Sequence, residues 1–120
     1  MTRYLNSDSL YRKSDNTVKP RAFEPNSISN PPSLSVFRIH GLEDLDIWNI
    51  GRNVLNNSQN PHLHGRADIL VSVVQQQGLH INPDNIPPRH ANIIDWPVKE
   101  KWKSISQELA AAATLHLLEK

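Results

Sequence analysis

Between Ser33 and Val36 the chain alternates polar and apolar positions, and the β-rich Phe37-Arg38-Ile39 continues the run up to His40. A period of two predicts a strand near 34–39, broken by Gly41. The period then changes. Leu45, Ile47, Trp48, Ile50, Val54 and Leu55 form a broad apolar arc, and Glu43, Asp44 and Asp46 crowd its start. Carboxylates favour the N-terminal end of a helix dipole, so the pattern predicts a helix over 43–56. Residues 56–61, rich in asparagine and closed by Pro61, read as a loop.

The densest signals lie in residues 62–97. Ala67, Leu70, Val71 and Val74 recur at helical spacing, widened by Ile69 and Val73, which predicts a helix over 66–77 ended by Gly78. Leu79-His80-Ile81 reads as a strand near 79–82, closed by the turn residues Asn82-Pro83-Asp84. Pro87-Pro88 holds the next segment extended, and Ala91-Asn92-Ile93-Ile94 predicts a strand near 91–95. Asp95 and Pro97 mark a helix start. The helix they open, 98–118, places Val98, Trp102, Ile105, Leu109 and Ala112 on one face, and the alanine run 110–113 adds propensity.

Ahead of these elements, residues 1–33 are polar, with prolines at 20, 25, 31 and 32. Residues 1–9 read as a flexible N-terminus, and Ala22-Phe23 offers an extended piece near 21–24 that could add an edge strand. The sum is a single α+β domain over 10–120. A small mixed or antiparallel sheet is packed with three helices. Trp48, Leu70, Val74, Trp102, Ile105 and Leu109 are expected to be buried together.

Composition narrows the picture. At 120 residues, 38% hydrophobic and with nine prolines, the chain supports one modest core. The net charge of +1, from 13 basic and 12 acidic residues, lacks the basic stripe of a nucleic-acid binder. With no cysteine there is no disulfide framework, thiol nucleophile or zinc-thiolate site. No apolar run approaches the ~20 residues that span a bilayer, and no secretory h-region follows the first charges. A cytoplasmic protein is expected, without membrane contact and with no cofactor called for.

Candidate chemistry collects around His62, His64, Arg66 and Asp68, which form an H-x-H-x-R-x-D run. In an extended segment His62 and His64 point the same way, so with Asp68, and with His90 as a fourth donor, they could ligate a metal. No recognised ligand spacing supports this, and solvated loop histidines are commoner. Gly65-Arg66 at a helix N-terminus, joined by Arg89-His90 at the mouth of a strand, could instead bind phosphate. Anchoring of Arg66 by Asp68 or Asp84 is the commoner use of such residues. His90 could also serve as a general base, with Asp68 the other catalytic candidate. The sequence presents no recognisable Ser/His/Asp set and no glycine-rich phosphate loop. Arg12, Arg38 and His40 on predicted strands invite comparison with small nucleotide-transferring folds, an analogy of fold alone.

Several segments carry a resemblance: Leu10-Tyr11-Arg12, Ala22-Phe23, Leu34-Ser35-Val36, Gly65-Arg66-Ala67-Asp68, Gly78-Leu79, Asp84, and Pro88 to Ile93 with Trp96-Pro97. In that order they resemble a diffuse group of short uncharacterised bacterial proteins, across most of residues 10–113. The resemblance implies one intact domain and brings no activity with it.

Size, balanced charge and the lack of a catalytic set lead to an expected function as a non-catalytic accessory module that acts through a protein partner. The alternative is a small phosphate- or nucleotide-directed enzyme that uses Arg66, Asp68, Arg89 and His90, with His64 as a further binding residue. For that second reading the four residues must meet in space.

Overall fold

The computed structural model describes residues 1–56 and 58–118. The expected loop at Asn57 and the last two residues of the expected domain lie outside them. In chain order the strands and α-helices are β1 (Thr2–Leu5), β2 (Tyr11–Arg12), β3 (Thr17–Val18), β4 (Leu34–Phe37), α1 (Asp44–Leu55), β5 (Gly65–Asp68), α2 (Val71–Gln76), β6 (His80–Pro83), β7 (His90–Ile94), α3 (Trp102–Ala112) and β8 (Thr114–Leu117). Six strands form one antiparallel sheet in the order β6-β7-β4-β1-β5-β8, and β2 pairs with β3. The chain is a small α+β domain. Its radius of gyration is 13.5 Å, against about 13.6 Å for one compact unit of this length.

Alternation in the strands sorts side chains onto two faces. On one face Leu34 and Val36 of β4, Ala91 and Ile93 of β7, Ala67 of β5 and Leu115 of β8 pack with Phe23, Ile105 and Leu109. That main core is closed by α3 and by the 3-10 turn Pro20–Phe23, pinned where the Ser106 hydroxyl donates to the Phe23 carbonyl at 3.0 Å. On the other face α1 lies over Tyr4 and Phe37 and buries Ile47 and Leu55. The Tyr4 hydroxyl donates to the Ile47 carbonyl at 2.6 Å, which ties β1 to α1.

Four expectations are corrected. Thr2–Leu5, expected within a flexible terminus, is an interior strand with Thr2 and Leu5 wholly buried. Both of its faces meet protein, so no polar side advertises it.

The expected helix over 66–77 begins at Val71, and Gly65–Asp68 is a strand. Arg66-Ala67-Asp68-Ile69 has a period of two, with Ala67 and Ile69 in the main core and the charged pair on the other face. Gly65 permits the pairing with β8. A Cβ there would sit 2.6 Å from the His116 carbonyl oxygen, a distance at which backbone must shift. Leu70, no longer on a helix face, is 70% exposed and outside the core.

The expected helix over 98–118 spans only 102–112, after a 3-10 turn at Lys99–Lys101. Ala113 is extended, and Thr114–Leu117 forms the edge strand β8. Sheet pairing overrides the helix propensity of the alanine run there. The piece near 21–24 is the 3-10 turn already described, not an edge strand.

Of the expected buried set, Val74, Ile105 and Leu109 lie in the main core and Trp102 packs partly against it. Trp48 is half-buried and stacks on Arg66 instead, with the guanidinium carbon 4.6 Å from the ring centroid. Among the described residues, no helix is long and apolar enough to cross a membrane.

Candidate functional site

On the face that carries α1, the sheet beyond Phe37 presents a polar row. Asn82, Asn92 and Ser35 face one another across β6, β7 and β4, in the register Asn82↔Asn92 and Ser35↔Asn92. Two positions along the ladder, Phe37 pairs with His90, and their rings meet edge to face at 5.2 Å. That contact sets the plane of the imidazole. Ser35, two residues before Phe37 on the same face, then lies diagonal to His90. Its Oγ is 2.5 Å from His90 Nε2.

The other imidazole nitrogen is fixed by the hairpin between β6 and β7. Asp84 leaves β6 and turns back, so that the Asp84 and Asn85 backbone N–H groups both donate to the His90 carbonyl, at 3.2 and 3.1 Å. The His90 N–H donates to the Pro87 carbonyl at 3.0 Å. Asp84 Oδ1 thereby sits 2.6 Å from His90 Nδ1. Oδ1 also accepts the Ile86 N–H at 3.2 Å, and Oδ2 accepts from Asn92 Nδ2 at 3.1 Å. These hydrogen bonds, that from His90 foremost, hold the Asp84 carboxyl below its ordinary range and keep it ionised at neutral pH.

An ionised carboxylate accepts only, so Nδ1 must carry the proton and the neutral ring presents a lone pair on Nε2 to Ser35. Serine, histidine and aspartate stand in the order and roles that activate a hydroxyl nucleophile. The His90 side chain is 12% exposed and that of Asp84 is 40% exposed. Solvent therefore screens the charge of Asp84, and its main contribution is to the tautomer and aim of the ring.

Two residues in this hairpin adopt left-handed backbone, Asn85 at φ +56° and Arg89 at φ +71°. Such strain persists only where neighbours enforce it. Arg89 NH1 donates to the carbonyls of Arg38 and His40 at 3.3 and 3.1 Å, and the Arg38 N–H donates to the Arg89 carbonyl at 2.9 Å. The Arg38 guanidinium reaches Asn85 in turn. Both flanks of the Asp84–His90 pair are clamped in this way.

The β1–β4 ladder has a single pair, Thr2↔Phe37, beyond which the strands part. Ser35 and Asn92 line the resulting cleft of about 430 Å³, together with Arg3, Glu24 and Asn26.

The four residues expected to meet do not form one patch. Arg66 and Asp68 lie on β5 and His90 on β7, with β4 and β1 between them. Arg66, 4% exposed, donates from NH2 to Asp44 and from Nε to Asp68, each at 3.2 Å, and stacks on Trp48. Two carboxylates on one guanidinium leave little attraction for an anion. Asp68 also meets His116 Nε2 at 3.4 Å. His64 Nδ1 is hydrogen-bonded to the Tyr11 hydroxyl at 3.0 Å, and His62 is exposed. Among the described residues, no group of three or more histidine, aspartate or glutamate side chains is placed to hold a metal ion.

Sequence reasoning found His90 and missed Ser35 and Asp84 as its partners. The hairpin signals at Asn82-Pro83 and Pro87-Pro88 could have brought Asp84 beside His90. Nothing in the sequence supplies the β4–β7 register that brings Ser35. No family model, curated protein or solved structure matches this chain.

Proposed function

We propose that the chain is a small serine-dependent hydrolase, with Ser35 as nucleophile, His90 as its base and Asp84 as the positioning carboxylate. The observation that carries the reading is the unbroken Ser35 Oγ–His90 Nε2 and His90 Nδ1–Asp84 Oδ1 chain, at 2.5 and 2.6 Å. In such a reaction Ser35 Oγ bonds to an acyl carbon while its proton passes to Nε2. The imidazolium returns that proton to the leaving group as the tetrahedral intermediate collapses. Water, deprotonated by the same Nε2, then releases the acyl group and restores Ser35.

A fluorophosphonate probe tests the reading without knowledge of the substrate, since Ser35 Oγ bonds to phosphorus and fluoride leaves. Mass spectrometry should find one adduct, on Ser35, and none in Ser35→Ala. A protein that takes up no probe, or takes it up equally in Ser35→Ala, would sink the proposal.

The second reading is a non-catalytic cytoplasmic interaction module. It is favoured by the adjacent exposed side chains Leu70 and Val71 at the start of α2. Unreactive Ser35 together with loss of a partner on Leu70→Glu would select it.

A further inference from the structure

The gap where β1 and β4 part is filled by the side chain of Arg3. Its Nε donates to the Ala22 carbonyl at 3.1 Å, and NH1 donates to the Ser35 carbonyl at 2.9 Å. A guanidinium has five N–H groups. Two are used here, so three have no protein partner among the described residues. Arg3 also takes part in none of the ion pairs among those residues. Burial alone lowers its pKa, with no carboxylate to offset the loss of water. Arg3 is half-buried, and a partly desolvated cation without a counter-ion is unfavourable, since proteins ordinarily pair such charges.

The Arg66 guanidinium is more deeply withdrawn from solvent than that of half-buried Arg3, and it holds two carboxylates and a tryptophan ring. Arg3 instead borders the cleft that Ser35 and Asn92 line. The other lining groups, Asn26, Ser29 and Ser33, are neutral and can donate hydrogen bonds, and Glu24 lies exposed.

We infer that Arg3 is the anion-binding group of this cleft, and that the substrate of the Ser35 centre carries a carboxylate or phosphate held on the guanidinium. The substrate half of the inference rests on the hydrolase reading, whereas the anion site does not. A planar fork suits a two-oxygen anion better than a point charge does. The anion supplies the missing counter-charge, and the hydrogen bonds of Arg3 to Ala22 and Ser35 hold the fork ready before the ligand arrives. Arg3 is a binding residue under this scheme, and its loss should raise KM far more than it lowers kcat.

The test is a side-chain NMR titration of the arginine Nε–H resonances with inorganic phosphate and, separately, acetate. Arg3→Lys, which keeps a charge in the gap, assigns the Arg3 signal by its loss. The expected result is a saturable shift of Arg3 Nε–H, with exposed Arg12, Arg21 and Arg52 unmoved. In parallel, phosphate should slow fluorophosphonate labelling of Ser35 by about tenfold at saturation, equivalent to about 1.4 kcal/mol. That protection should weaken in Arg3→Lys. An Arg3 signal that stays still, or moves only along with the exposed arginines, overturns the anion site whatever Ser35 does. Saturable binding at Arg3 with an inert Ser35 keeps the anion site and removes the hydrolase reading and the substrate claim. A labelled Ser35 that phosphate and acetate leave unprotected keeps the hydrolase and overturns the substrate claim.

Discussion

His90→Ala is expected to slow fluorophosphonate labelling of Ser35 by about a thousandfold, within the range that a positioned general base contributes. A serine hydroxyl is a weak nucleophile at neutral pH, and among the described residues His90 Nε2 alone is bonded to Ser35 Oγ. The substitution also frees Asp84, but that carboxylate is 40% exposed and returns to water at little cost. The fold should therefore survive, which a melting curve would check. Asp84→Asn should slow labelling as well, by a smaller factor, because the imidazole remains and only its tautomer is released. Labelling unchanged in His90→Ala would mean that the Ser35–His90 bond is structural.

The second large effect belongs to the main core. Phe23→Ala is expected to destabilise the protein by about 3–5 kcal/mol in urea unfolding, the usual range for a buried aromatic truncated to alanine. Phe23 is 0% exposed and lies on the 3-10 turn that α3 covers. Its own carbonyl accepts the buried Ser106 hydroxyl, so collapse of the cavity would also strain that bond. Leu70→Ala should change stability by less than about 0.5 kcal/mol, as surface substitutions do. A loss below about 1 kcal/mol for Phe23→Ala would contradict the packing described above.

Much of this framework could be read from residue patterns, and the exceptions share a physical cause. β4 and β7 declared themselves through alternation and β-branched content, and α1 through its apolar arc. β5 did not, because Arg66-Ala67-Asp68-Ile69 runs directly into the helical spacing of Val71 and Val74. The two periods overlap, and a longer window favours the helix. β8 was hidden behind the alanine run, where local propensity and tertiary pairing point in opposite directions. β1 is covered on both faces and so carries no polar side to mark it.

The candidate site failed for a related reason. Asp84 and His90 are six residues apart across a hairpin whose turn residues are visible. Ser35 is 55 residues from His90 and meets it only through the Phe37↔His90 pair. A register between distant strands is a property of the folded sheet, and no local signal encodes it. Arg66 and Asp68 attracted the sequence reading because charges cluster near them, and those charges prove to neutralise one another.

For Ser35 to be activated, Asp84 must hold His90 in the tautomer that leaves Nε2 free to take the serine proton. Nitrogen-15 NMR of the histidine side chains measures this directly. At neutral pH His90 is expected to be protonated on Nδ1, with a strongly deshielded proton in the bond to Asp84 that disappears in Asp84→Ala. A His90 ring protonated on Nε2 at neutral pH would contradict it, since such a ring donates to Ser35 and cannot accept its proton.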